Sequence, residues 1–198
     1  MKGEHKMKLH SPDVAVQCSD EALTYLKEGN ARFVSGNVLN RADSLKADLK
    51  VTSGGQKPFA AVITCADSRT SPELYFDQKL GDIFVCRNAG NVADDSVIGS
   101  LEFGVLALGV KVIVVVGHTA CGAVDNSFKK TPGLPATLTG VLEGIYPGIS
   151  SCPDTTAAYA ENARVQAAKI AANPAVKETG VPVLPAVYDL ATGEVKFV

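Results

Sequence analysis

The sequence predicts an α/β fold: a single domain with a central, largely parallel sheet flanked by helices, plus an N-terminal helical arm. Short apolar runs recur along the chain without the alternation of half-exposed strands, which is typical of strands buried on both faces. Segments with helical periodicity lie between these runs. The chain has 198 residues, of which 46% are hydrophobic and 20% charged, and this suits one domain with a sizeable core.

The N-terminal part, residues 1–50, is predicted to be an arm followed by helices. Residues 1–18 are polar and are expected to form a mobile or partner-docked arm. Ser19 and Asp20 are typical N-cap residues, and apolar residues then recur at near-helical spacing until Gly36. The polar residues 37–57 are predicted to form a loop with a short helix around residues 45–49.

The core is predicted over residues 56–198. Its strands are predicted at three apolar runs, residues 59–64, 83–86 and 111–116, and in a terminal hairpin of residues 183–188 and 195–198. Its helices are predicted after Ser71-Pro72, after Asp94-Asp95, and from Asp154 to about Ala172, where Asn173-Pro174 ends the helix.

Charge and hydropathy exclude several classes of protein. The 19 basic and 21 acidic residues give a net charge of −2, without the basic excess of a nucleic-acid-binding protein. The longest nearly apolar stretch, residues 105–117, is shorter than the roughly 20 residues of a membrane span. The N-terminus has no apolar signal-peptide region, so a cytoplasmic location is expected; an exported chain with its leader removed would have the same sequence.

Two motifs follow predicted strands at their carboxyl ends, where ligands bind in open parallel sheets. They are C-A-D-S-R at residues 65–69 and G-H-T-A-C-G at residues 117–122. The five cysteines are irregularly spaced and lack a CxxC pair, which argues for reduced thiols rather than a disulfide framework. Cys18, Cys86 and Cys152 are predicted to be packing residues rather than ligands.

Cys65, His118 and Cys121 are candidate zinc ligands, because Zn²⁺ accepts thiolate and imidazole ligands in a tetrahedron. Three protein ligands leave the fourth position open, as in catalytic zinc sites. Asp67 could fill that position or hydrogen-bond its occupant, and pairing with Arg69 would decide between the two. Taken singly, a cysteine at a strand end is more often a core residue, and an Asp–Arg pair more often lies on the surface.

These motifs resemble those of the β-class carbonic anhydrases, in which C-x-D-S-R is followed by G-H-x-x-C-G. The resemblance extends to R-N-A-G-N at residues 87–91 and Y-D-L-A-T-G at residues 188–193, and covers most of residues 20–198. It implies bound zinc and the reversible hydration of CO₂ to bicarbonate and a proton by zinc-bound hydroxide. The implied partners are this small substrate and further copies of the chain, in a homodimer or a dimer of dimers, without nucleic acid or membrane.

The resemblance also implies roles for individual residues. Cys65, His118 and Cys121 would bind the zinc. Asp67 and Arg69 would be the catalytic pair, with Asp67 either orienting the zinc-bound hydroxide or binding the metal itself. Four residues would bind the substrate: Gln56 from across a dimer interface, Phe84 and Phe103 as aromatic walls, and Gly122 through its N–H. Core packing is the alternative for both phenylalanines.

Two other functions remain open from the sequence. One is that of a family relative that hydrolyses carbonyl sulfide or carbon disulfide at the same zinc site. The other is a non-catalytic zinc protein in which Asp67 permanently closes the tetrahedron, and Arg69 argues against it by offering Asp67 another partner. Val62 stands where some bacterial family members carry a tryptophan of a bicarbonate pocket, so inhibition through that pocket is not expected.

Overall fold

The computed structural model describes residues 15–39 and 41–198, so residues 1–14 of the arm predicted over residues 1–18 lie outside the described part of the chain. Among these residues, none of the helices combines the length and the hydropathy that crossing a membrane requires. The helices are α1 (Ser19–Ser35), α2 (Arg41–Thr52), α3 (Pro72–Tyr75), α4 (Asp95–Leu106), α5 (Gly122–Phe128), α6 (Ala136–Glu143), α7 (Tyr146–Ile149), α8 (Thr155–Ala171) and α9 (Pro174–Thr179). The strands are β1 (Ala60–Cys65), β2 (Ile83–Asn88), β3 (Val112–His118), β4 (Val183–Tyr188) and β5 (Val195–Phe197).

The sheet has the strand order β2-β1-β3-β4-β5. The first four strands are parallel and β5 pairs with β4 in the antiparallel direction. Every residue of β1 and of β3 is buried, which explains why their sequences are continuously apolar. The predicted α/β fold with a largely parallel sheet is therefore confirmed, and so is the terminal hairpin.

Side chains of the central strands alternate between two apolar clusters, one on each face of the sheet. On one face, Val62 and Val114 belong to a cluster that includes Leu26 of α1. On the other face, Ile63 and Val115 belong to a cluster with residues of α4, α8 and α9. Helices therefore cover both faces, as expected for a parallel sheet.

A third apolar cluster surrounds the carboxyl ends of β1 and β3. It contains Cys65 and Cys121 together with Val124 of α5, Ile149 of α7 and Ala158 of α8. Two of the candidate zinc ligands are thus enclosed by apolar side chains rather than open to bulk water. The low dielectric of such surroundings strengthens electrostatic interactions between the buried groups.

Some elements differ from those predicted. Helix α2 spans Arg41–Thr52, where a loop with one short helix was predicted. Its Leu45 and Leu49 are each about half exposed, so the helix does not present a buried apolar stripe that the sequence would reveal. Cys18 occupies the N-cap position of α1 and is exposed, so the prediction that it is a packing residue was wrong.

Asn173 and Pro174 end α8 as predicted, but they also begin a further helix. The Asn173 side chain accepts a hydrogen bond from the Val176 N–H, and Pro174 is the first residue of α9. Proline at this position is compatible with a helix because its missing N–H would have no partner there.

Candidate metal centre

Two neighbouring strands bring the candidate ligands together. Cys65 is the last residue of β1, His118 is the last residue of β3, and Cys121 is the N-cap of α5. Because β1 and β3 are adjacent and parallel, their carboxyl ends meet at one edge of the sheet. The ligand atoms of the three residues lie within 4.8 Å of one another, and the two Sγ atoms are 4.0 Å apart. None of the three residues is more than 5% exposed.

The His118 ring is oriented for metal binding. Its Nδ1 lies 2.9 Å from the carbonyl oxygen of Thr119. A carbonyl can only accept, so Nδ1 carries the proton and Nε2 keeps a lone pair. Nε2 is buried and has no hydrogen-bond partner among the residues that the structure describes. A buried acceptor without a partner is costly, and a metal ion held jointly with two cysteines would satisfy it.

The two thiols interact directly, because their Sγ atoms are within hydrogen-bond distance for sulfur. The pKa of Cys65 is lowered well below its usual value, chiefly by the hydrogen bond with Cys121 and further by His118 and the Gly90 N–H, although burial opposes the shift. The same pairing, together with burial, raises the pKa of Cys121. The two sulfurs are close enough to share a proton, which a divalent cation would displace on binding. Two sulfurs and one imidazole nitrogen suit zinc.

Asp67 and Arg69 form a bidentate ion pair beside the three candidate ligands. Arg69 donates from Nε to Oδ1 at 2.9 Å and from Nη2 to Oδ2 at 2.6 Å, and its backbone N–H also donates to Oδ1. The hydrogen bonds from Arg69 hold the pKa of Asp67 well below its usual range. Oδ2 of Asp67 lies 4.0 Å from His118 Nε2. The carboxylate is thus ionised and close to the centre, but held by Arg69.

Two residues that the sequence analysis did not select hold the loop after β1. Arg87 donates from Nε to the Cys65 carbonyl at 3.1 Å and from Nη2 to the Asp67 carbonyl at 2.7 Å. The Thr70 hydroxyl lies within hydrogen-bond distance of the same two carbonyls. The sheet register explains why Arg87 reaches this loop, because the next residue, Asn88, pairs with Cys65 at the end of β1.

Of the four residues expected to bind substrate, Gly122 lies beside a candidate ligand, whereas Gln56, Phe84 and Phe103 lie away from the ligands of their own chain. Gly122 follows Cys121 directly and is the first residue of α5. Gln56 instead precedes β1, at the amino end of the strand whose carboxyl end is Cys65. Five steps of extended chain separate Ala60 from Cys65, a span of about 17 Å. Gln56 therefore lies at the far edge of the sheet from the candidate ligands.

The two phenylalanines also lie away from the cysteines of their own chain. Phe84 of β2 is opposite Ala61, near the amino end of β1. Phe103 of α4 lies beside it, with ring centroids 6.4 Å apart. Phe103 is 52% exposed, so its ring is not part of the chain's own core.

Comparison with known proteins establishes the family. The family model for carbonic anhydrase matches residues 60–195, which is more than half of the chain and includes every candidate metal ligand. The chain belongs to the β-class carbonic anhydrase family. The family predicted from the two motifs is therefore confirmed.

Relatives of this chain occur in mycobacteria. Carbonic anhydrase 2 of Mycobacterium tuberculosis is 46% identical over 125 residues, which cover 62% of this chain and 54% of the relative. A carbonic anhydrase of Mycolicibacterium smegmatis is 45% identical over 122 residues, with 62% and 54% coverage. The chain thus spans about half the length of the curated relatives it matches.

Solved structures of the same family share the fold. The Coccomyxa β-carbonic anhydrase in complex with acetazolamide is 26% identical, with a TM-score of 0.71 over 86% of this chain and 83% of that one. A tetrameric β-carbonic anhydrase of Sordaria macrospora has a TM-score of 0.72 at 23% identity, covering 85% of this chain and 95% of that one.

Proposed function

We propose that this protein is a zinc-dependent carbonic anhydrase that catalyses the reversible hydration of CO₂ to bicarbonate and a proton. The observation that carries the proposal is the buried Cys65–His118–Cys121 group, in which His118 Nε2 has no hydrogen-bond partner within residues 15–39 and 41–198. Membership of the β-class family and the names of the mycobacterial relatives support the same activity.

Cys65, His118 and Cys121 would hold the zinc ion through two sulfurs and one ring nitrogen. When bound, zinc supplies a Lewis acid that makes a water molecule nucleophilic near neutral pH. Three protein ligands are the usual number for catalytic zinc, whereas structural sites use four. Arg69 holds both carboxylate oxygens of Asp67, and this favours an open site over the non-catalytic alternative in which Asp67 closes the tetrahedron.

Asp67 and Gly122 are suited to orient the reactants. The ionised carboxylate of Asp67 can accept a hydrogen bond from the attacking water and so direct its lone pair toward CO₂. Gly122 opens α5, where backbone N–H groups have no partner within the helix. Its N–H can donate to a substrate oxygen, which gains negative charge as CO₂ becomes bicarbonate.

We further propose a homodimer or dimer of dimers in which Gln56, Phe84 and Phe103 of one chain serve the metal centre of its partner. All three lie toward the opposite end of the sheet from Cys65 of their own chain. Strand β2 is an edge strand, and Phe103 and Leu106 of α4 are exposed close to it. An assembly of this kind agrees with the tetrameric state named for the Sordaria macrospora enzyme.

A cytoplasmic location is part of the same proposal. All five cysteines are free, and Cys65 and Cys121 must stay reduced to bind a metal ion. A reducing compartment keeps such thiols available.

Stopped-flow CO₂ hydration by the zinc-loaded protein tests the proposed activity. We expect turnover by the wild type and one zinc per chain by elemental analysis. Cys121→Ser should lose most of both, because serine is a poor zinc ligand. Cys86→Ser is the matched control, since Cys86 is also a buried thiol but lies outside the ligand group.

Three results would contradict the proposal. Zinc-loaded wild type without CO₂ turnover would exclude the activity, and full zinc in Cys121→Ser would remove Cys121 from the site. Carbonyl sulfide turnover measured on the same samples should be slower than CO₂ turnover. Faster carbonyl sulfide turnover would assign the protein to the hydrolase alternative.

A further inference from the structure

A short 3₁₀ turn between β2 and α4, Ala89–Asn91, contacts one of the candidate zinc ligands. The backbone N–H of Gly90 donates a hydrogen bond to Cys65 Sγ at 3.3 Å. Gly90 has a φ of 75°, and a Cβ at this position would lie 2.4 Å from Ile145 Cδ1. Both the backbone conformation and the close approach of Ile145 therefore require glycine where the N–H meets the sulfur.

Two buried amide side chains of α8 hold this turn. Asn162 donates from Nδ2 to the Gly90 carbonyl at 2.9 Å. Gln166, one helical turn further along, accepts from the Ala93 N–H at 2.9 Å and donates from Nε2 to Asn162 Oδ1 at 3.2 Å. Asn162 and Gln166 are 1% and 2% exposed. Burying two amides in an alanine-rich helix is unfavourable unless their hydrogen bonds are satisfied. Gly90 and Ala93 supply partners here, and Gln166 Nε2 also donates to the Gly144 carbonyl at 3.2 Å.

We propose that Asn162 and Gln166 are positioning residues of the metal centre. Their hydrogen bonds to Gly90 and Ala93 hold the backbone on both sides of Asn91. The backbone held in this way directs the Gly90 N–H toward the Cys65 sulfur. This inference rests on the zinc site of the proposed function. A hydrogen bond to a ligating sulfur orients the ligand and withdraws electron density from it, and such contacts tune metal affinity.

The proposal predicts two measurable changes when the Asn162 amide is lost. In Asn162→Ala the Gly90 carbonyl has no donor, the turn relaxes, and the N–H moves away from the sulfur. Zinc affinity, measured by competition with a chromophoric chelator, should fall about 10- to 100-fold. In the cobalt-substituted protein the sulfur-to-cobalt charge-transfer band should move to longer wavelength, because the sulfur lone pairs rise in energy.

Asn30→Ala is the matched control. Asn30 is also a buried helical asparagine, and its Nδ2 donates to the carbonyls of Tyr75 and Gly193 rather than to the turn. It should lose a similar amount of stability in the zinc-free protein. Its zinc affinity and cobalt spectrum should remain those of the wild type. Equal changes in Asn30→Ala and Asn162→Ala would overturn the proposal.

A second variant covers the case in which Asn162→Ala does not fold. Gln166→Ala leaves the Asn162–Gly90 bond in place but removes its support, so it should show a smaller change in the same direction. Unchanged affinity and spectrum in every one of the two variants that folds would refute the positioning role. Failure of the wild type to bind zinc would instead refute the metal site itself, so the two failures are distinguishable.

Discussion

The state of Asp67 distinguishes a catalytic zinc site from a non-catalytic one, because Asp67 would bind the metal only in the non-catalytic site. Its two oxygens are bound by the guanidinium of Arg69, which also donates to the Ala120 carbonyl at 3.3 Å. The pKa of Asp67 is lowered by these contacts and the pKa of Arg69 is raised, so the pair stays charged at neutral pH. Arg69 thereby keeps the carboxylate ionised and engages both of its oxygens.

Arg69→Ala tests this role. The variant should lower kcat/KM for CO₂ about 10- to 100-fold. Its zinc content should not change, because the Arg69 side chain donates to Asp67 and to the Ala120 carbonyl and not to Cys65, His118 or Cys121. Its unfolding midpoint should stay near that of the wild type, since the guanidinium is exposed. Arg164→Ala, which breaks the surface pair with Glu161, is the control and should leave all three quantities unchanged.

The same variant has a defined pH signature. Without the guanidinium, the pKa of Asp67 rises back toward its ordinary value, so the carboxylate protonates at a higher pH than in the wild type. As pH falls, the activity that depends on ionised Asp67 is therefore lost at a higher pH in Arg69→Ala than in the wild type. An acid limb that coincides in Arg69→Ala and wild type would show that Asp67 does not take part.

Among the helices and strands, the sequence predicted those that are fully buried and those that begin at a clear N-cap residue. Strands β1 and β3 are buried on both faces, so their sequences are continuously apolar and could be recognised. The caps Asp94 and Asp154 could be recognised because a short acceptor side chain precedes each helix. Helix α2 could not be recognised, because its apolar residues are exposed in the single chain and do not form a periodic buried face.

The grouping of Cys65, His118 and Cys121 could also be predicted, because each lies in a short motif at a strand end. The contacts of Gly90 with Cys65 and with Asn162 could not, because they join residues 25 and 72 positions apart and depend on how α8 packs. One signal was present in the sequence. Asn162 and Gln166 are two polar residues on one face of an alanine-rich helix, at the spacing that lets both reach the same neighbour.

The Asp154 cap of α8 can be tested without touching the metal centre. Its exposed carboxylate accepts from the Ala157 N–H at 2.8 Å. Asp154→Ala should lower the free energy of unfolding by about 1 kcal/mol, measured in urea, because one N–H at the start of the helix loses its acceptor. Asp154→Asn retains an acceptor oxygen and should lose much less. Equal losses in both variants would assign the effect to charge rather than to capping.

At the scale of the whole molecule, the parallel sheet separates the metal ligands from part of the expected substrate site. Cys65 and His118 lie at the carboxyl ends of β1 and β3, whereas Gln56 precedes β1 and Phe84 lies early in β2. A rigid, fully buried strand cannot shorten this separation. In the proposed assembly, a second chain would therefore complete the site by presenting its amino-end residues to this carboxyl end.

Mixing two impaired variants tests whether sites are shared. Gln56→Ala removes the side chain proposed to bind substrate in the partner's site. Arg69→Ala removes the partner of Asp67 at the metal centre of its own chain. After equal mixing and subunit exchange, a site is intact only when a Gln56→Ala chain supplies the metal centre and an Arg69→Ala chain supplies Gln56. Random pairing places about one quarter of all sites in this state, so the mixture should regain about a quarter of wild-type activity. If each chain used its own Gln56, no mixed dimer would contain an intact site, and the mixture would show only the mean of the two variants.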